Sequence, residues 1–175
     1  MRPWDRTSDR LPAFLAQVLG VPPDPPKLDV AGSRFIELLS PSEATVVQKP
    51  WGRERWLLAG DSRLVLKAIE IRAGARTSLQ RHERKEEVTI IVAGAARLVF
   101  GDDEEVLEDL DVGPGSFIRI RPGGIHRLEA RTDLVLLELS TPEVDDVIRL
   151  SDDWSRGDGP VAGERSDPNS ARGWS

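Results

Sequence analysis

A chain of 175 residues with 39% hydrophobic and 31% charged side chains is long enough to bury its own core, with the composition of a soluble globular protein. Its 24 Lys and Arg against 30 Asp and Glu give a net charge of −6, which argues against nonspecific nucleic-acid binding; the absence of cysteine excludes disulfides and thiolate metal sites and makes a reducing cytoplasm the simple expectation. No apolar run reaches the roughly 20 residues of a membrane helix, and the charged N-terminus lacks a signal-peptide core.

In chain order, residues 1–44 read as a helical extension. Leu11, Phe14, Leu15 and Val18 recur at helical spacing before Gly20, and "SRFIELLS" (33–40) offers a weaker second helix. The intervening "VPPDPPK" must be extended or turning, because proline donates no hydrogen bond and restricts its predecessor. Residues 45–156 change character. Short β-type runs ("ERWLLAG", "RLVLKAIEIRAG", "VTIIVAG", "ARLVFG", "SFIRIRPGG", "HRLEA", "DLVLLELS", "DVIRL") alternate with turn residues. In "SFIRIR", Phe117, Arg119 and Arg121 share one face and Ile118 and Ile120 the other. With no long helix between them, the strands predict an antiparallel sandwich or barrel rather than a parallel sheet. The acidic run 101–111 reads as a hairpin tip, not a calcium loop. Residues 157–175 lack periodicity and core formers and read as a disordered tail.

The only two histidines, His82 and His126, stand in two frames. The first runs Gly74, Gln80, His82, Glu87, Gly94. Gln80 and His82 are two apart, so on a strand they project together, and Glu87 is expected to return across a hairpin to meet them. The second runs from Gly115 through "RPGGIH", where Gly123 precedes His126 by three residues as a strand leaves the turn. No phosphate-binding glycine loop is present.

These frames resemble the two signature motifs of the cupin superfamily, with Gln80 in place of the first motif histidine and Arg121 at the usual proline position. "QKPWGRERWLL", "VLKAIEIRAGARTSLQRHERKEE" and "GGIHRLEARTDLVLLELSTPEVDDVIRLSDDWSR" look like the type II mannose-6-phosphate isomerase branch, in which an "SLQ" glutamine is usual. The likeness covers roughly 46–156. It leaves out both ends, and 175 residues leave no room for the sugar-nucleotide transferase domain that often precedes this module. The run Glu83–Thr89 departs from the histidine-rich sequence that the branch carries there.

The resemblance implies a single all-β cupin-type jelly-roll barrel with short N-terminal helices, its pocket opening at one end above a metal. Gln80, His82, Glu87 and His126 are the implied ligands. Two imidazoles and a carboxylate suit one divalent ion, zinc first, with manganese, iron or nickel as alternatives. The implied activity is a metal-dependent aldose–ketose isomerase of the mannose 6-phosphate/fructose 6-phosphate type. A noncatalytic sugar- or metabolite-binding cupin and an iron-dependent cupin dioxygenase stand as alternatives. Lys67 and Glu138 are the candidates for proton transfer, with a solvated lysine on the outer face as the bland reading of Lys67. Arg84 and Arg127 are candidates for substrate binding, although alternation turns Arg127 away from His126 and a solvated charged turn suits Arg84 and Lys85. Trp51 and Trp56 read as packing residues first and sugar platforms second. The expected partner is a small molecule, a sugar phosphate. Nucleic acid and membrane are not expected, and a homodimer is allowed.

Overall fold

The computed structural model describes residues 44–60, 62–154 and 159–160. Among these residues there is no helix. Strands follow as β1 (Thr45–Lys49), β2 (Gly52–Leu58), β3 (Val65–Ile71), β4 (Leu79–Arg81), β5 (Glu87–Ala93), β6 (Ala96–Asp103), β7 (Val106–Val112), β8 (Phe117–Ile120), β9 (Ile125–Ala130), β10 (Leu134–Ser140), β11 (Ile148–Ser151) and β12 (Gly159–Pro160). They form two six-stranded sheets, ordered β1-β2-β3-β10-β5-β8 and β12-β11-β4-β9-β6-β7. Every pairing is antiparallel, as the absence of long crossover segments requires. The helices expected over 1–44 lie outside the described residues, Ala44 apart. So does the tail expected over 157–175, except that Gly159 and Pro160 pair with β11.

Strand alternation decides which side chains enter the barrel. In β5, Glu87, Thr89 and Ile91 are buried while Val88 and Ile90 are half-buried. In β10, Leu134, Leu136, Glu138 and Ser140 are buried. Ile69, Ile71, Ile91, Leu134 and Leu136 of the first sheet pack in one cluster with Ala96, Leu98, Val112, Leu128 and Ala130 of the second, joined by Trp51. Each large side chain buried there contributes about 1.5–3 kcal/mol. Gly94 lets the β5–β6 turn close on this core. Its φ is +86°, and a Cβ would come within 2.2 Å of the Asp133 carbonyl oxygen.

The inward surface then changes along the strands. One register row of the first sheet holds Trp56, Lys67, Glu138 and Thr89 side by side across β2, β3, β10 and β5. The barrel is therefore apolar toward one end and ionic in this row. The acidic run predicted to form a hairpin tip does so only at Glu104 and Glu105; most of the rest is β7, exposed from Val106 to Asp111 at the edge of the second sheet. Arg97 pairs with Asp109, and Arg131 with Asp111 at 2.6 Å, which covers an exposed strand edge with charge. No helix among the described residues is long and apolar enough to cross a membrane.

Candidate metal centre

Gln80 in β4 lies directly opposite His126 in β9, and His82 follows at the end of β4. Glu87 reaches them by a route the sequence did not suggest. Residues 83–86 do not form a hairpin within one sheet. They cross from the second sheet to the first, so Glu87 faces the histidines across the barrel. The crossing is held by the segment that follows β10. The Asp146 carboxylate accepts the backbone N–H of Lys85 at 2.8 Å and that of Arg84. Thr141 exchanges two bonds with the Glu86 backbone, N–H to carbonyl at 3.0 Å and N–H to hydroxyl at 3.1 Å. Gly123 ties in the second motif, its N–H donating to the His82 carbonyl at 2.7 Å from a backbone with φ +90°.

His82, Glu87 and His126 are all buried, and one ligand atom of each lies within 4.8 Å of the others. Glu87 places Oε1 3.2 Å from His126 Nε2 and Oε2 3.7 Å from His82 Nε2. Both rings are oriented from behind. His82 Nδ1–H donates to the Asp146 carbonyl at 2.7 Å, and His126 Nδ1–H donates to the Gly124 carbonyl at 3.2 Å. Both Nε2 lone pairs are thereby turned inward. His82 Nε2 is buried without a hydrogen-bond partner. An orphaned buried nitrogen is costly in a protein interior unless a cation meets it, so the residues present fit a divalent metal. Gln80 sits beside this set. Its amide oxygen accepts from Ser78 Oγ at 2.9 Å, and its amide nitrogen lies 3.4 Å from His126 Nε2.

Behind the three residues runs a buried chain of alternating charge. Lys85, read from sequence as part of a solvated turn, is only 4% exposed. Residues two apart in extended backbone share a face, so Lys85 enters the barrel with Glu87. Its ammonium contacts the Glu87 carboxylate and lies 2.9 Å from Glu138. Lys67 lies 3.5 Å from Glu138 and 3.7 Å from Glu54, with its nitrogen 4.4 Å from the Trp56 ring centre. It points inward, not onto the outer face. Lys49 reaches Glu54 at 3.6 Å.

Burial alone would raise the Glu87 carboxyl, but the Lys85 ammonium outweighs it and holds the group well below the usual range. Burial likewise opposes ionisation of Glu138, and Lys67 and Lys85 pull it down. His82 is held low chiefly by burial and then by Lys85, so its ring stays neutral and able to ligate.

The two arginines are elsewhere. The Arg84 side chain is 71% exposed and lies 3.9 Å from Asp146. Arg127 projects from the other face of β9 and donates to the Ser151 carbonyl at 3.1 Å. Neither lines the cavity formed by His82, Glu87, His126, Lys67, Lys85 and Glu138. Sequence reasoning passed over Asp146 and Glu54. Glu54 alternates inward on β2, which was readable, whereas Asp146 acts across more than 60 residues with no local signal.

The family profile described as Mannose-6-phosphate isomerase C-terminal matches residues 40–152. A mannose-1-phosphate guanylyltransferase from Escherichia coli is 34% identical over 115 residues, 63% of this chain and 23% of that enzyme. The alginate biosynthesis protein AlgA from Pseudomonas aeruginosa is 31% identical over 128 residues, 68% of this chain and 25% of its own. The chain thus spans about a quarter of the length of these curated relatives. Among solved structures, oxalate decarboxylase OxdC of Bacillus subtilis superposes with a TM-score of 0.58 at 18% identity, covering 67% of this chain and 34% of that one. KdgF from a Halomonas species gives 0.52 at 19% identity, covering 63% and 98%. These neighbours are cupins, and the fold is the expected cupin barrel.

Proposed function

The chain belongs to the mannose-6-phosphate isomerase C-terminal family, and from that premise we propose that it is a metal-dependent cupin that interconverts an aldose phosphate and its ketose. The observation that carries this reading is the junction of two groups in one cavity. His82, Glu87 and His126 form a ligand set with inward nitrogens, and the buried Lys67–Glu138 pair stands beside it, joined through Lys85.

A divalent ion held by these three residues, zinc first, would polarise the sugar's carbonyl and the neighbouring hydroxyl. The protein's own groups supply the rest. Lys67 and Lys85 balance Glu87 and Glu138, and Lys49 balances Glu54, so the ionised side chains around the cavity sum to zero. A bound divalent cation leaves the cavity positive, which suits a phosphate dianion. Isomerisation must move a proton between two adjacent carbons, and Glu138 and Lys67 are the buried groups available to carry it. Gln80 fills the place of a further ligand as a neutral amide, adding orientation and little charge. The expected partner is therefore a small anionic sugar. Guanylyl transfer is not part of this reading, which concerns only the quarter of the guanylyltransferase that this chain matches.

The test is metal analysis of the purified protein, then steady-state kinetics on mannose 6-phosphate and other aldose phosphates, with and without chelator. Turnover should be lost on chelation. If Lys67 only holds phosphate, Lys67→Met should raise KM and spare kcat, whereas a proton carrier should lose roughly 100-fold or more in kcat. Metal-loaded protein that binds these sugars without turning any over would replace the enzyme by a binding module.

A further inference from the structure

The loop bearing Asp146 touches the ligand set through two different atoms. Its backbone carbonyl accepts the His82 Nδ1–H at 2.7 Å. Its carboxylate, 8% exposed as a residue, accepts the N–H groups of Arg84 and Lys85 on the crossing between β4 and β5. The two contacts form a clamp. The carboxylate fixes the crossing against the loop, and the fixed loop presents the carbonyl to the imidazole. The same bond to the Lys85 N–H sets the backbone from which the Lys85 ammonium reaches Glu87 and Glu138.

From this geometry we infer that Asp146 is a positioning residue of the site, selecting the His82 tautomer and aiming Lys85; the inference rests on the metal reading above. Asp146 does not touch the metal position. It acts by keeping the proton on Nδ1, so that Nε2 carries the lone pair. Without the clamp, the neutral ring is free to place its proton on either nitrogen, which alone costs about twofold, and to turn away from the metal position, which costs the rest. Outer partners of this kind typically change metal affinity 10–100-fold. Asn at 146 keeps one acceptor oxygen for the two amides, and Ala keeps none.

The experiment uses the full chain and zinc alone. Calorimetric titration should show zinc binding weakened about 10–100-fold in Asp146→Ala. Asp146→Asn should stay within about threefold of wild type, because a neutral acceptor weakens the bonds without removing them. Thr132→Val is the control. It loses a hydroxyl that likewise accepts a backbone N–H, that of Ala95 at the β5–β6 turn away from the ligand set, and it should bind zinc as wild type does. Nitrogen-15 NMR of the metal-free histidines is the second readout. Wild-type His82 should be the Nδ1–H tautomer, and Asp146→Ala should show a mixture.

Equal zinc affinity in Asp146→Ala, or equal loss in Thr132→Val, overturns the inference. So does an Nε2–H tautomer in the metal-free wild type, a result that requires no variant to fold. Failure of wild-type protein to bind zinc would remove the metal reading alone, and the tautomer would still decide the role of Asp146.

Discussion

Replacing Lys85 by Met tests the buried charge chain directly. The side chains are similar in length, so packing changes little and the main loss is the ammonium. Lys85 is 4% exposed and lies between Glu87 and Glu138, which are 3% and 9% exposed. Removing one partner from a buried ion pair leaves the other uncompensated and costs about 3–5 kcal/mol. For a domain of this size that is a fall in melting temperature of roughly 10–20 °C. Two further outcomes separate this cause from lost packing. A divalent cation at Glu87 takes over the neutralisation, so excess zinc should raise the melting temperature of Lys85→Met more than that of wild type. Adding Glu138→Gln should recover part of the loss, because it removes the one carboxylate in excess of the two remaining lysines and frees Lys67 from sharing. The assay is thermal denaturation of metal-free and zinc-loaded protein at pH 7.5. A metal-free Lys85→Met that melts within about 2 °C of wild type, under roughly 1 kcal/mol, would refute the account of Lys85 as the counter-charge of the site.

His82→Ala and His126→Ala should each abolish tight zinc binding in a calorimetric titration, while Gln80→Ala should weaken it far less, since the Gln80 amide oxygen is already engaged by Ser78. The metal-free protein should lose stability steadily on acidification. His82 is held below its ordinary 6.5, so as pH falls beneath that value the unfolded chain takes up a proton that the folded chain refuses, and the loss levels off only below the folded value. Glu87 and Glu138 are held below 4.5, so their contribution is intact above 4.5 and is lost as pH falls through their folded values. Urea midpoints from about pH 7 to 4.5 measure the His82 loss and those from about pH 4.5 to 2 the carboxylate loss, and a flat profile would contradict these environments.

The barrel was legible because alternation and turn residues are local signals. Ile118 and Ile120 turn inward and Phe117 and Arg119 outward, as "SFIRIR" implies. The strands that escaped notice are those without such a signal. β1 is half-exposed, and β7 is an acidic edge whose side chains stay in water from Val106 to Asp111. Gln80, His82, Glu87 and His126 were singled out by the resemblance of their two frames to the cupin motifs, and the structure brings these side chains together. Lys85 was misjudged because a charged run usually marks solvent. Nothing in the run Glu83–Glu87 announces that the segment crosses between sheets, a fact set by Thr141 and Asp146 far along the chain.

The central strand β10 gives Glu138 a second role. Its sequence, Leu134–Val135–Leu136–Leu137–Glu138–Leu139–Ser140, is greasy on both sides: Leu134 and Leu136 face the core, while Val135, Leu137 and Leu139 face away. A slide by one residue against β3 or β5 would exchange the two sides and still present aliphatic groups to the interior, so the apolar content does not choose between the alignments. Glu138 does. Slid outward, it would withdraw the carboxylate that Lys67 and Lys85 share and leave Lys49, Lys67 and Lys85 with only Glu54 and Glu87 to balance them. The ionic row thus acts as a key cut for one alignment, and the selection that keeps the pocket polar also gives the chain a single way to zip its longest-range strand into place.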